Sequence, residues 1–340
     1  MTESEDKQCT QRPSGVRPDG TARERYQKAL AEIPPPGRGE GCHPKQLGVA
    51  NLGARAGLSP ERVFADLRSH IPAGGRDVSD KEIRDTVEKA FGQKDKPIDL
   101  PVKEGTSPGK GGPSSAFDGA KARRMLIARG QGIKMGDLVD ASPVRLSDEY
   151  DRRDAVTALR ALYDASDALF IGSRYDAGPE NVLTAGDWIS RFLAGAPVPE
   201  LICPNPLSGE QGPRKDGQPS YRADSCVARF RFAVVEFDTL SLEEQVAFWG
   251  VVRLPIAALI FSGKRSIHAW VRVDCQDERE WHRRVKQELY GQLFEPLGVD
   301  KNCKNAGRLS RMPGALRDAK EDAFQFLLYL NPAGGGPCLA

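Results

Sequence analysis

The run Ala233-Val-Val-Glu-Phe-Asp238 closes an apolar stretch with two carboxylates two residues apart. Side chains on a strand alternate between faces, so Glu236 and Asp238 share one face. The fold must therefore deliver two like charges to one point and offset them. Hard divalent ions take oxygen ligands and are held by one or two carboxylates together with substrate phosphates. About thirty residues on, Ser262-Gly-Lys-Arg-Ser-Ile-His268 combines a glycine turn, two cations and a histidine. Backbone N–H groups in such a turn, with flanking cations, suit phosphate groups. For the Glu-x-Asp pair alone, the competing reading is an acidic strand end facing solvent.

The segment Ile267–Asp274 alternates. Ile267, Ala269, Val271 and Val273 form an apolar face for a helical layer, whereas His268, Trp270, Arg272 and Asp274 point the other way. His268 is thereby expected on the side where functional groups gather. Further on, Gly298–Gly314 carries Asp300 and then Lys301, Lys304, Arg308 and Arg311, interleaved with Asn302, Asn305 and Ser310. A basic, glycine-containing loop can be a solvated connector. Four cations within eleven residues, downstream of an acidic pair, point instead to a triphosphate or a nucleic-acid backbone.

Composition sets the frame. A chain of 340 residues accommodates two domains. The formal net charge of +2 does not impose a polyanionic partner, so local basic clusters must carry that inference. Seven cysteines (Cys9, Cys42, Cys203, Cys226, Cys275, Cys303, Cys338) show no CxxC spacing, and Cys42-His43 is isolated, so no zinc site is expected. Scattered thiols and a polar, acidic N-terminus imply a reducing, cytoplasmic setting. No apolar run approaches the ~18–20 residues that would cross a bilayer.

Along the chain, residues 1–20 read as a disordered tail and 21–91 as a small helical domain. Ser59-Pro-Glu-Arg opens one of its helices, and Ser79-Asp-Lys-Glu opens another with Ser79 and Glu82 as a capping box. Residues 92–117, rich in Gly, Pro, Ser and Lys, read as a flexible linker. From 118 to 332 helices (119–128, 150–164, 185–195, 241–252, 277–293) alternate with strands (168–172, 201–203, 227–238, 256–262, 267–273, 324–330), and 333–340 form a tail. This order resembles a split βαβ sheet within an α+β protein. No Walker A sequence is present.

The ordered set of Glu-x-Asp after a hydrophobic strand, Ser-Gly-Lys-x-Ser-x-His, and Asp followed by Asn-x-x-Arg-Leu-Ser-Arg-x-Pro-Gly resembles the archaeo-eukaryotic primase superfamily. Its primase-polymerases from phages, plasmids and other mobile elements are the nearest in pattern. Asp167–Gly172, Trp188-Ile-Ser-Arg-Phe and Ile202-Cys-Pro-Asn-Pro-Leu207 resemble the N-terminal half of that catalytic module. Residues 40–91 resemble the helical domain associated with such primases, which in relatives more often follows the catalytic module. The resemblance covers about 40–91 and 120–330. It implies an RRM-like catalytic module with an additional N-terminal αβ subdomain, preceded by a small all-α domain.

By the same resemblance, Glu236, Asp238 and Asp300 would bind two Mg²⁺ or Mn²⁺ ions. Asp274 competes with Asp300 for the third place. His268 would contact the triphosphate of an NTP or dNTP beside Lys264, Arg265 and Ser266. Arg308 and Arg311 would bind the triphosphate or the nucleic-acid backbone, and Lys301, Lys304 and Asn305 would touch nucleic acid. The implied activity is template-directed nucleotidyl transfer in replication of a mobile element or phage. Single-stranded DNA template, a primer and a separate replicative helicase are the implied partners, with no membrane. Two alternatives stay open: a catalytically inactive primase-like nucleic-acid-binding replication factor, and a metal-dependent nuclease. A rolling-circle initiator wants two histidines one residue apart on a strand, and His43, His70, His268 and His282 offer no such pair.

Overall fold

The computed structural model describes residues 15–16, 22–37, 42–92, 117–147, 149–214, 216–318 and 323–339. The expected linker lies almost wholly outside the described residues, as does the expected N-terminal tail apart from Gly15–Val16, which pair with Glu149–Tyr150.

Four helices make the first unit: α1 (Ala22–Ala31), α2 (Cys42–Arg55), α3 (Pro60–His70) and α4 (Asp80–Gly92). Ser59 caps α3 by accepting from Arg62 N–H, and Pro60 enters at the first turn, where its missing N–H costs nothing. Gly57 takes a left-handed conformation (φ +68°) in the turn between α2 and α3, a backbone shape glycine adopts without strain. Tyr26, Leu30, Val63, Leu67, Ile83 and Val87 fill the core. Arg25 joins this unit to the next through Asp137 and Asp140.

The second unit is α+β and contains two four-stranded sheets, linked by α5 (Gly119–Arg129), α6 (Met135–Asp140) and α7 (Arg152–Leu162) to the smaller one. That smaller sheet runs through β1 (Ala168–Gly172) and β2 (Val182–Thr184), passes into α8 (Ala185–Leu193), and returns with β3 (Leu201–Ile202). The larger sheet begins with β4 (Phe230–Val235), crosses over through α9 (Leu242–Val251) to β5 (Ile256–Phe261), and turns tightly into β6 (Ile267–Cys275). A π-wound helix, α10 (Trp281–Phe294), follows; its end leads by way of β7 (Ser310–Arg311) to β8 (Phe326–Leu330).

β6 pairs antiparallel with both β4 and β5, so β4 and β5 are parallel with β6 between them: a split βαβ. β8 then pairs with β5, giving the order β8–β5–β6–β4. The hairpin strands β5 and β6 thus occupy the centre and the first strand an edge. An RRM-like sheet instead centres its first and third strands. Meanwhile β7 leaves the larger unit to pair with β3, stitching the two sheets together.

Both faces of the larger sheet are covered. Ala233, Val235, Leu259, Ile267, Ala269 and Val271 pack beneath α9 and α10. The opposite face (Phe232, Val234, Ala258, Ile260, Trp270, Leu327) packs against α7, α8 and the smaller sheet. The side of β6 on which functional groups were expected is not open along its length: Trp270 is fully buried, because α7, α8 and the smaller sheet cover that side. Burial of such a side chain is worth about 1.5–3 kcal/mol. The segment 333–339, expected as a tail, folds back onto the core: Gly335 N–H donates to Ile256 O and Leu339 N–H to Gly250 O.

Candidate functional site

The edge strand β4 delivers the acidic pair. Its ladder ends at Val235, and Glu236 continues the path, where its carbonyl oxygen accepts from Asp300 N–H at 3.0 Å. That bond sets two carboxylates side by side although they lie far apart in sequence. Asp300 is placed by the end of the preceding helical stretch: Gly298 terminates it in the left-handed region (φ +85°), and the chain reverses toward β4. Asp300 then caps the short turn Lys301–Cys303, which swings the Cys303 thiol inward.

Ligating atoms of Glu236, Asp300 and Cys303 all lie within 4.8 Å of one another. Cys303 Sγ–H donates to Glu236 Oε1 at 3.1 Å and approaches Asp300 Oδ2 at 3.4 Å. Arg308 lies across both carboxylates, Nη2 being 2.9 Å from Glu236 Oε1 and 3.6 Å from Asp300 Oδ2. His268 Nε2 is 3.0 Å from Glu236 Oε2. Asp238 is exposed on the wall of the same cavity and stands outside the tight cluster. Asp274 lies at the far end of β6 and pairs with Arg272, so the geometry brings Asp300, and not Asp274, to the acidic pair.

The electrostatics follow from this crowding. Burial works to raise the Glu236 pKa, and His268, the Cys303 thiol and Arg308 outweigh it, leaving the carboxyl below its usual range. Asp238, although exposed, is raised by its partial desolvation at the cavity wall first and then by the charges of Glu236 and Asp300. Burial, and after it Glu236, pushes Cys303 far up, so it is held as a thiol. Burial brings His268 down to about 4 against the pull of Glu236, so the imidazole is neutral at physiological pH.

A cavity of about 910 Å³ opens beside this cluster and is lined by Glu236, His268 and Arg308 from it, together with Asp238. Seven cationic side chains line it (Arg174, Arg222, Lys264, Arg265, Arg308, Arg311 and Arg317) against two carboxylates, Glu236 and Asp238. The hairpin turn between β5 and β6 supplies Lys264, Arg265 and Ser266. Gly263 there has φ +82°, and a Cβ would sit 2.9 Å from Ala323 O, so the close approach of the neighbouring chain requires glycine. Ser262 fastens the turn, accepting at Oγ from Ser266 N–H at 3.1 Å. Such a wall focuses positive potential into a recess, which favours polyanionic ligands.

Of the expected nucleic-acid contacts, Asn305 lines the cavity but its amide donates to Asp224 at 3.0 Å, and Lys304 pairs with Glu295 at 3.2 Å. Lys301 is exposed. Arg311 lies in the cavity wall and pairs with Glu200 at 3.1 Å.

Several residues that shape the site had no role assigned to them from the sequence. Asn205 is buried and makes four bonds: it donates to Phe232 O and Ala306 O and accepts from the Arg231 and Phe232 N–H groups. It thereby clips the Arg308 loop to β4. Asp224 accepts from Gly307 N–H at 2.7 Å. Arg222 and Arg317 complete the cationic wall. An asparagine between two prolines, Pro204-Asn-Pro206, is the one signal that marked Asn205 in advance.

The donor set fits a divalent cation. Glu236 and Asp300 already share a positive group, the Arg308 guanidinium, and Asp238 is destabilised in its charged form by the two neighbours. Glu236 and Asp300 thus offer oxygen ligands within reach of each other, and a divalent ion there would take over the place that the Arg308 guanidinium now holds. No family model matches the chain, and searches of curated proteins and of solved structures give no match.

Proposed function

We propose that the chain is a metal-dependent nucleotidyltransferase of the primase-polymerase type, acting on nucleoside triphosphates along a single-stranded DNA template. The observation that carries this reading is the junction of three segments at one cavity. Glu236 and Asp238 come from the end of the edge strand, Arg308 from the loop after α10, and Lys264 and Arg265 from the hairpin turn; Asp300 stands behind this wall, 3.6 Å from Arg308. Fold class alone would not carry it, since one fold hosts many activities.

Nucleotidyl transfer requires a 3′-hydroxyl to attack an α-phosphate while pyrophosphate leaves. Glu236, Asp238 and Asp300 would hold two divalent cations, which would activate the hydroxyl and steady the departing oxygens. The chain's own cations supply the rest. Lys264, Arg265, Arg311 and Arg317 line the recess, where they would offset charge on the β- and γ-phosphates. A wall of this extent exceeds what one scissile phosphodiester needs, which favours triphosphate chemistry over simple strand cleavage. The helical unit at 22–92 would hold template or initiating nucleotide, and a separate helicase would supply unwound DNA.

The test is incorporation of labelled dNTPs and NTPs on single-stranded DNA with Mn²⁺, with and without a primer. Asp238→Ala is the control, and its folded state is checked by circular dichroism. Metal-dependent extension by the parent chain, lost in the folded variant, is expected. Absence of incorporation by the parent, or equal extension by both proteins, would overturn the reading.

A further inference from the structure

A chain of polar contacts crosses from one sheet to the other through the core beneath the site. Trp270 Nε1 is 2.8 Å from Ser310 Oγ, Ser310 Oγ is 3.3 Å from His268 Nδ1, and His268 Nε2 is 3.0 Å from Glu236 Oε2. Trp270 and Ser310 are fully buried and His268 nearly so. Ser310 sits in β7, paired with Ile202, whereas Trp270 and His268 share one face of β6.

Proton positions along this chain follow from donor inventory. An indole N–H can only donate, so Ser310 Oγ accepts from Trp270. The Ser310 hydroxyl proton is then directed to His268 Nδ1, which must accept. Nε2 therefore carries the ring proton and donates to Glu236. The opposite tautomer would set the Nε2 lone pair against a carboxylate oxygen at 3.0 Å and leave the hydroxyl proton without an acceptor along the chain. A doubly protonated ring would turn Nδ1–H onto Ser310 Oγ, which already accepts from Trp270, and would leave the hydroxyl proton without an acceptor along the chain.

We propose that Ser310, held by Trp270, is a positioning residue that fixes His268 as its Nε2–H tautomer, and that His268 acts through Glu236 by orienting its carboxylate. The ring's donor is committed to Glu236 Oε2, which leaves Oε1 turned toward Asp300 and Cys303. His268 thereby serves the cation-binding cluster in place of a direct triphosphate contact. Outer partners of this kind alter metal affinity by about 10–100-fold when removed. The functional consequence rests on the nucleotidyl-transfer reading; the tautomer does not.

The test uses the full chain labelled with ¹⁵N-histidine. Four histidines are present, and a His268→Gln spectrum assigns the signal. At neutral pH a single tautomer protonated at Nε2 is expected. Ser310→Ala should turn it into a tautomer mixture and weaken Mn²⁺ binding, followed by electron paramagnetic resonance, about 10-fold. Ser310→Thr, which keeps the hydroxyl, should restore both. In steady-state assays Ser310→Ala should lower kcat with little change in the nucleotide KM. A ring protonated at Nδ1 or at both nitrogens in the parent would overturn the proposal, as would an unchanged tautomer and unchanged Mn²⁺ affinity in Ser310→Ala. If these two readouts behave as expected while the parent incorporates no nucleotide, the relay stands and the transferase reading falls.

Discussion

Arg308 donates to Glu236 Oε1 at 2.9 Å and lies 3.6 Å from Asp300, so a guanidinium sits where the two carboxylates converge. It is the cation most directly opposed to their mutual repulsion. An incoming divalent ion would compete with it for the same oxygens and release it toward the phosphate recess that it also lines.

Arg308→Ala should therefore tighten Mn²⁺ binding in the absence of nucleotide, because its competitor is gone. A charged hydrogen bond is worth about 1.5–3 kcal/mol, so a gain near tenfold is expected. The same variant should bind triphosphate more weakly. Calorimetric titrations with Mn²⁺ and with a non-hydrolysable nucleotide check both halves; weaker binding of the metal alone would refute the competition.

Asp238 offers a pH-dependent test. Its pKa is raised, by partial desolvation and then by Glu236 and Asp300, so its ionised form is disfavoured in the folded chain. The penalty is absent below the ordinary aspartate pKa, grows as pH rises from there to the raised value, and is complete above it. Asp238→Asn should accordingly raise the melting temperature at neutral pH without metal while abolishing incorporation. That gain should shrink on acidification and on adding Mn²⁺ to both proteins. A lower melting temperature for Asp238→Asn at neutral pH would contradict the account.

Periodicity located the elements well, because alternating and helical patterns are local properties. Ala168–Gly172 forms a strand over the span expected, and Gly119–Arg129 and Leu242–Val251 form helices within a residue or two of it. Strand order is a long-range property and was not legible: nothing in Phe326–Leu330 says that it pairs with β5. What covers the second face of β6 was hidden for the same reason. Trp270 alternates with Ala269 as a polar-face position would, but only the docking of α7 and α8 decides that this face is dry. At the site, carboxylates and cations announced themselves by type and spacing. Cys303 did not, since a lone thiol carries no signal until Glu236 and Asp300 surround it.

Asn205 should be the most sensitive polar residue outside the acidic cluster. Its side chain satisfies two backbone acceptors and two backbone donors in a fully buried setting. Asn205→Ala strands these groups, and a loss of about 2–4 kcal/mol is expected from the unsatisfied bonds. Because one of them is Ala306 O, the loop carrying Arg308 should loosen, and incorporation should fall further than stability at a temperature where the variant remains folded. Urea denaturation read beside primer extension checks this; full activity in a destabilised but folded variant would show that the clip does not position the loop.

Cys303 should make the cluster vulnerable to soft metals. Its thiol donates to Glu236 and is held protonated by burial and by the neighbouring carboxylates, so it contributes little to Mg²⁺ or Mn²⁺, which prefer oxygen. Zn²⁺ and Cd²⁺ bind thiolate strongly enough to displace that proton. They should inhibit the parent chain at concentrations well below those affecting Cys303→Ser, while the Mn²⁺ dependence of the two proteins stays within about threefold, a small part of the 10–100-fold that a lost outer partner costs. Inhibition curves for Cd²⁺ on both proteins provide the measurement. Identical curves would place the soft-metal site elsewhere, and loss of Mn²⁺ dependence in Cys303→Ser would show that the sulfur serves the hard ion as well.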